Sequence, residues 1–221
     1  MIINNEKNSK SLIKTIIVED NIYMQKHLVG MIEDAGNFKI VARLRDAFEA
    51  EKICSREKVD LVLMDVQTLH NHSGLAAGKN IRNMGQGTKV VIITSLIDPE
   101  VLDKSKEGAA NSLWYKDYGN EDLLEIINRT LKGENIFPDE SPNVELNEMH
   151  SAEINPKQLE ILRLFVKGLT YDEIAESMDL SKNGVRWNLD KIIEKGGFSN
   201  KHEMLAAVIE NKLIVTTLKD D

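Results

Sequence analysis

The chain of 221 residues has a single cysteine, Cys54, and only four prolines. A lone cysteine excludes a disulfide framework and a thiolate zinc site. Within the run Glu51-Lys52-Ile53-Cys54, the thiol is expected on or near the apolar face of a helix. Long hydrophobic runs are also missing. None approaches the roughly 20 residues that a membrane-spanning helix needs, and no secretory signal is visible, so the expected location is cytoplasmic. Lys and Arg are absent from residues 134–153, which carry six acids together with Pro138 and Pro142. Acidic, Asn- and Ser-containing and without periodicity, this stretch has the composition of a linker.

That last absence changes how the charge is read. A net charge of −8 looks wrong for a nucleic-acid binder, yet −6 of it falls in residues 134–153. Residues 12–133 carry −2, and residues 154–215 are neutral. The length suits two ordinary domains, and 42% hydrophobic residues suffice for real cores. The expected division is a flexible polar extension at 1–11, a first domain at 12–133, an acidic linker at 134–153, a small module at 154–215 and a polar tail at 216–221.

Residues 12–133 alternate in pattern. Strand-like runs near 14–18, 38–44, 60–64, 89–93 and 111–115 are separated by helical patterns near 21–35, 46–57, 75–84, 98–107 and 120–132. Asp46, Asp98 and Asn120 are the expected N-caps, Pro99 follows Asp98 as the first helical residue, and Gly36, Gly108 and Gly133 are expected helix stops. Five such units predict an α/β fold, with a parallel sheet covered by helices on both faces. Runs 60–64 and 90–93 are continuously apolar, as central parallel strands are.

Four of these runs end on reactive side chains. Ile16-Ile17-Val18 leads into Glu19-Asp20, Leu61-Val62-Leu63-Met64 into Asp65, Val90-Val91-Ile92-Ile93 into Thr94, and Leu113-Trp114-Tyr115 into Lys116. In a parallel sheet they meet beyond the carboxyl ends of the strands, where open α/β sheets place their ligands. Three carboxylates, a hydroxyl and an ammonium suit a divalent cation and a phosphoryl group.

Val18-Glu19-Asp20-Asn21, Leu61-Val62-Leu63-Met64-Asp65, Val91-Ile92-Ile93-Thr94-Ser95 and Trp114-Tyr115-Lys116-Asp117 together resemble the signature segments of a response-regulator receiver domain, over residues 14–132. The resemblance implies a flavodoxin-like, doubly wound five-stranded parallel sheet of strand order 2-1-3-4-5. It implies that Asp65 accepts a phosphoryl group from a sensor histidine kinase. Glu19, Asp20, Asp65 and the backbone carbonyl of Gln67 would hold Mg2+, while Thr94 and Lys116 engage the phosphoryl oxygens. Three positions depart from the family pattern. Thr68 and Leu69 stand where Met-Pro is common, the loop 67–73 is one residue longer, and Leu113 occupies the place of a switching aromatic. Thr94 and Leu113 are thus the switch positions, with Trp114 and Tyr115 expected to point elsewhere. His70 and His72 invite a metal reading, but with no matching ligands they read as residues of an exposed polar loop and not as a second metal site.

The C-terminal module is helical by pattern. Asn155 with Pro156 opens a helix to Val166, stopped by Gly168, and Thr170-Tyr171-Asp172-Glu173 is a capping box. Ser181 caps a helix through about Lys195 in which Val185, Leu189, Ile192 and Ile193 share one face, and a last helix runs from Lys201 to about Asn211. The tight pair reads as helix-turn-helix within a small all-α four-helix domain. Pro156-Lys157-Gln158-Leu159-Glu160-Ile161-Leu162, Gly168-Leu169-Thr170, Glu173-Ile174-Ala175 and residues 181–195 resemble the LuxR-type helix-turn-helix of NarL/FixJ regulators. The resemblance implies that helix 181–195 enters the major groove of promoter DNA. Arg186, Trp187 and Asp190 would stand at its base-reading positions, with Asn183 on or beside the same outer face as a further DNA-binding residue, and Lys182, Lys191 and Lys195 would contact phosphates. Trp187 could meet a thymine methyl or cover the module's own surface. Gly184 stands where Thr is usual and weakens the helix start by roughly 1 kcal/mol.

The expected function is a DNA-binding response regulator, not an enzyme beyond its own phosphotransfer and dephosphorylation. In it, the unphosphorylated receiver masks or misplaces the DNA-binding domain, and phosphorylation allows a homodimer to form through the last helix, where Ala206-Ala207 permit close approach. Two alternatives stay open. One is a regulator of the same architecture governed by a protein partner or ligand. The other is a phosphohydrolase using Asp65, which calls for a second acid two residues later, where Gln67 stands.

Overall fold

Side chains on successive strand residues point to opposite faces, and in the first domain both faces are apolar. The computed structural model describes residues 11–119 and 121–214. Strands β1 (Ile13–Val18), β2 (Phe38–Leu44), β3 (Leu61–Met64), β4 (Lys89–Thr94) and β5 (Ser112–Tyr115) form one parallel sheet in the order β2-β1-β3-β4-β5. This is the expected fold and strand order. Ile16, Val18, Val62, Met64, Val90 and Ile92 pack on one side against α2 (Ala47–Arg56), α3 (Gly74–Asn83) and α4 (Pro99–Lys104). Ile17, Leu61, Leu63, Val91 and Ile93 pack on the other against α1 (Ile22–Asp34) and α5 (Leu123–Leu131). Cys54 is buried in the first of these cores, and burial pushes its thiol up to about 11.

The helix starts follow the expected chemistry with one shift. Asp46 and Asp98 cap α2 and α4 by accepting the N–H of Phe48 and Glu100. The cap of α5 is Asp122, which accepts the N–H of Leu124. The expected cap, Asn120, lies outside the described residues, as do the N-terminal extension through residue 10 and the tail 216–221. Beyond α4 the chain makes a wider, π-type turn over Ser105–Ala109, where Gly108 takes φ 128°.

Residues 134–153 are not the aperiodic linker their composition implies. Ile136 pairs beside Ser112 at the sheet edge, and its carbonyl accepts the Leu113 N–H at 3.0 Å. The short strands β6 (Glu145–Leu146) and β7 (Met149–His150) then form an antiparallel pair that buries Val144, Leu146 and Met149 in the C-terminal core. Acidic residues face water on one side of this segment while alternate apolar ones enter the core. The segment is too short for that alternation to register as a period.

Four helices follow: α6 (Pro156–Val166), α7 (Tyr171–Ser177), α8 (Lys182–Lys195) and α9 (Lys201–Glu210). Asn155 and Thr170 each form the reciprocal capping box with Gln158 and Glu173, and Ser181 caps α8. Between α7 and α8, Asp179 takes φ 52° and Leu180 donates its N–H to Ala175, closing the tight turn. Ile174, Val185, Leu189, Ile192, Met204 and Val208 fill the centre of the module.

Candidate functional site

Parallel pairing brings the carboxyl ends of β1, β3, β4 and β5 to one rim, and the residues that follow them meet there. Asp65 donates its N–H to Val18, and Lys116 donates its N–H to the Thr94 carbonyl, which fixes the four ends side by side. The Lys116 ammonium lies between two acids, 2.6 Å from Glu19 Oε2 and 2.8 Å from Asp65 Oδ2. Glu19 is 1% and Asp65 7% exposed, and Asp20 is half-buried beside them. Carboxylate oxygens of Glu19, Asp20 and Asp65 come within 4.8 Å of one another. Gln67 lies two residues past Asp65, paired across a bridge with Ser73. Helix α3 begins so close to Asp65 that a Cβ on Gly74 would fall 1.9 Å from the Asp65 carbonyl oxygen.

The electrostatics follow from one ammonium facing three acids. Burial raises the Asp65 carboxyl to about 7, and Glu19 and Asp20 push in the same direction against the pull of Lys116. Burial works against the charge on Lys116, but Asp65 and Glu19 outweigh it and raise its pKa. Lys116 therefore stays protonated, and with three acids facing one ammonium an excess of acidic groups is left at the rim. An all-oxygen cluster with that excess fits a hard divalent cation such as Mg2+. The buried Thr94 hydroxyl accepts the N–H of Leu96 at 3.0 Å and keeps its own proton for another acceptor.

Of the expected switch positions, Leu113 is buried in the core on the α3–α4 side. Tyr115, expected to point elsewhere, shares that face because it lies two residues on, and its hydroxyl reaches Ser141 Oγ at 3.3 Å. Only Trp114 faces the other way, where its ring N–H donates to the Glu121 carbonyl. His70 and His72 also acquire a partner that sequence proximity hides. Asp46, at the start of α2, bonds both imidazoles.

On α8, Lys182, Asn183, Arg186, Trp187, Asp190, Lys191 and Lys195 are all exposed, with Trp187 at 59%. Trp187 thus does not bury itself in the module. Asn188 turns inward and donates to the Gly184 carbonyl. Each cation of this helix is already ion-paired: Lys182 with Asp172, Arg186 with Asp190, Lys191 with Glu194 and Lys195 with Glu153. Exposed pairs of this kind are worth about 1 kcal/mol or less and yield readily to phosphates.

A contact between the domains was not legible in the sequence. Ile97, in the loop after β4, is fully buried in the core of the helical module, and its N–H donates to the Lys212 carbonyl at 3.1 Å. Arg163 of α6 binds Asp98 at 2.5 Å, Glu100 at 3.1 Å and Glu160 at 2.9 Å. Lys212 also reaches Asp117 at 3.4 Å. The one available hint was the apolar pair Leu96-Ile97 standing outside any strand.

A rim of acids, Thr and Lys on a doubly wound sheet, coupled to a helix-turn-helix, defines a regulatory receiver joined to a DNA-binding module. Residues 15–128 match the response regulator receiver domain family, and residues 153–208 match the bacterial regulatory proteins of the luxR family. The chain belongs to the response regulators with a LuxR-type DNA-binding domain, and is a transcription factor of that family. It is 27% identical to the oxygen regulatory protein NreC of Staphylococcus aureus, over 91% of this chain and 99% of that one. It is 26% identical to the transcriptional regulatory protein YvfU of Bacillus subtilis, over 91% and 98%. RcsB from Salmonella enterica serovar Typhimurium, solved bound to the promoter rprA with a phosphomimetic, shares the fold at TM-score 0.57 and 19% identity, over 89% of this chain and 98% of that one. Among the described residues no helix is long and apolar enough to cross a membrane.

Proposed function

We propose that phosphorylation of Asp65 switches this regulator and that its output is promoter binding by a dimer. A sensor histidine kinase supplies the phosphoryl group. An Asp65 carboxylate oxygen attacks phosphorus, the P–N bond of the phosphohistidine breaks, and an aspartyl phosphate remains. Glu19, Asp20, Asp65 and the Gln67 carbonyl would hold Mg2+, which supplies countercharge for the equatorial oxygens. Lys116 turns from Asp65 to a phosphoryl oxygen, and the Thr94 hydroxyl donates to another. The observation that supports this best is the Lys116 ammonium seated between two buried acids, 2.6 and 2.8 Å away. A phosphohydrolase would need an acid where exposed Gln67 stands.

The output runs through the loop after β4. When Thr94 turns toward the phosphoryl group, it gives up the Leu96 N–H that it accepts in this structure. The next residue, Ile97, is the one buried in the helical module. Phosphorylation therefore loosens the contact at Ile97, Asp98 and Arg163, a local change biasing a two-state element. The recognition face of α8 is open, so control acts by misplacement and not by covering that face. The held end, near Lys212, adjoins α9. There Ala206 and Ile209 are exposed and Ala207 is half-buried, and this helix is the proposed dimer contact. In the DNA complex, Asn183, Arg186, Trp187 and Asp190 face base edges, and Lys182, Lys191 and Lys195 face phosphates.

The test compares gel-shift affinity and oligomeric state with and without acetyl phosphate and Mg2+, in the wild type and in Asp65→Asn. The expected result is a Mg2+-dependent, acid-labile adduct and tighter DNA binding in the wild type alone. Equal binding in all four cases would sink the proposal and favour control by a partner or ligand.

A further inference from the structure

The loop that departs most from the receiver pattern builds a second cluster of ligand atoms. Asp46 Oδ2 lies 2.9 Å from His70 Nδ1, and Asp46 Oδ1 lies 2.7 Å from His72 Nδ1. We propose that Asp46, His70 and His72 bind a divalent transition-metal ion of the Zn2+ class, at a site separate from the acidic rim.

The donor set argues for that class. Two imidazole nitrogens and one carboxylate oxygen suit borderline ions such as Zn2+, Ni2+ or Cu2+, whereas Mg2+ prefers oxygen ligands and water. The geometry is close to what such an ion needs. Ligand atoms about 2.0–2.1 Å from a tetrahedral Zn2+ stand about 3.3 Å apart. The nitrogen–oxygen separations here are 2.9 and 2.7 Å, and an atom from each of the three side chains lies within 4.8 Å of the others. Entry of the ion replaces two imidazole–carboxylate hydrogen bonds with three coordinate bonds and needs only small side-chain shifts. The His70 and His72 side chains are 68% and 41% exposed, so an ion can reach the site and water can complete its coordination.

The surroundings hold this arrangement without help from the histidines. The Phe48 N–H donates to Asp46 Oδ1 at 2.9 Å, which fixes the carboxylate as the cap of α2. The Thr68 hydroxyl accepts the Ala47 N–H at 3.1 Å and donates to the His72 carbonyl at 2.7 Å, tying the loop to the same helix start. The Phe48 ring lies against His72, with centroids 5.6 Å apart. Such outer contacts are what orient metal-binding imidazoles and carboxylates. Thr68, one of the residues that departs from the family pattern, therefore ties His72 to the start of α2, beside Asp46. A bound ion would anchor the stretch just after Asp65 to α2.

The experiment uses full-length protein stripped of metal by chelator, with Mg2+ in excess to occupy the acidic rim. Co2+ is titrated and followed by visible absorption, and Zn2+ then displaces it. One ion per chain is expected, with the intense bands of a low-coordinate nitrogen-containing site. Binding should weaken at least about ten-fold in His70→Gln, in His72→Gln and in Asp46→Asn, the last of which keeps an oxygen to cap Phe48. Asp65→Asn should bind Co2+ as the wild type does. Three outcomes would overturn the site: no visible bands in the wild type, undiminished binding in both histidine variants, or loss of binding in Asp65→Asn. Far-UV circular dichroism of the metal-free variants separates loss of ligands from loss of fold.

Discussion

An acid buried among acids gains least from its charge, and Asp65 is such an acid. Its ordinary value is 3.8 and burial holds it near 7. The fold therefore favours the protonated form, and the unfolded chain loses the proton first as pH rises. Without a divalent ion, the contribution of this group is fully present below pH 3.8 and is lost as pH rises through 7. Asp65→Asn should accordingly melt higher than the wild type at pH 8 in Mg2+-free buffer, by about 3 °C for each kcal/mol relieved. It should also gain less from added Mg2+. A lower melting temperature for the variant would contradict the charge argument. On α8 the proposed roles divide the side chains. Arg186→Ala should relax base preference at one position of the site by about 1–3 kcal/mol, measured by competition among mutated half-sites. Lys195→Ala should weaken all sequences alike and lower the salt slope by about 1.

Among elements, the loop after β4 and the start of α4 do two jobs. Asp98 caps α4 through the Glu100 N–H and also holds Arg163 of α6. Arg163 is 15% exposed, so salt screens this pair less than a surface pair. Asn at position 98 still caps the helix but cannot neutralise a guanidinium. Asp98→Asn is therefore expected to free the helical module, giving DNA binding without a phosphodonor about ten-fold tighter than wild type, a typical coupling of this size. Affinity equal to the unphosphorylated wild type would show that Ile97 and Lys212 suffice to hold the module.

For the whole molecule, the boundary between domains follows burial and not composition. Val144, Leu146 and Met149 belong to the helical core although they stand in the acidic stretch. Burying each is worth about 1.5–3 kcal/mol. A fragment beginning at residue 141 should therefore melt cooperatively, whereas one beginning at 154 should melt far lower or not cooperatively. Indistinguishable melts would show that the β6–β7 pair is dispensable.

Much was legible in the sequence because it rests on local rules. While the strand order followed from the family resemblance, alternating strand and helix patterns, caps and strand-end residues gave five strands, the acid–Thr–Lys rim and the exposed face of α8. These depend on neighbours within a few residues or on the general fact that parallel strands align their ends. What the sequence could not show were meetings between distant residues: Asp46 with His70 and His72, Ile97 within the helical core, Arg163 against Asp98, and Tyr115 beside Ser141. A side chain carries no mark of a partner 24 or 65 residues away. Only the closed tertiary structure, by fixing which helix start lies over which loop, decides those pairings.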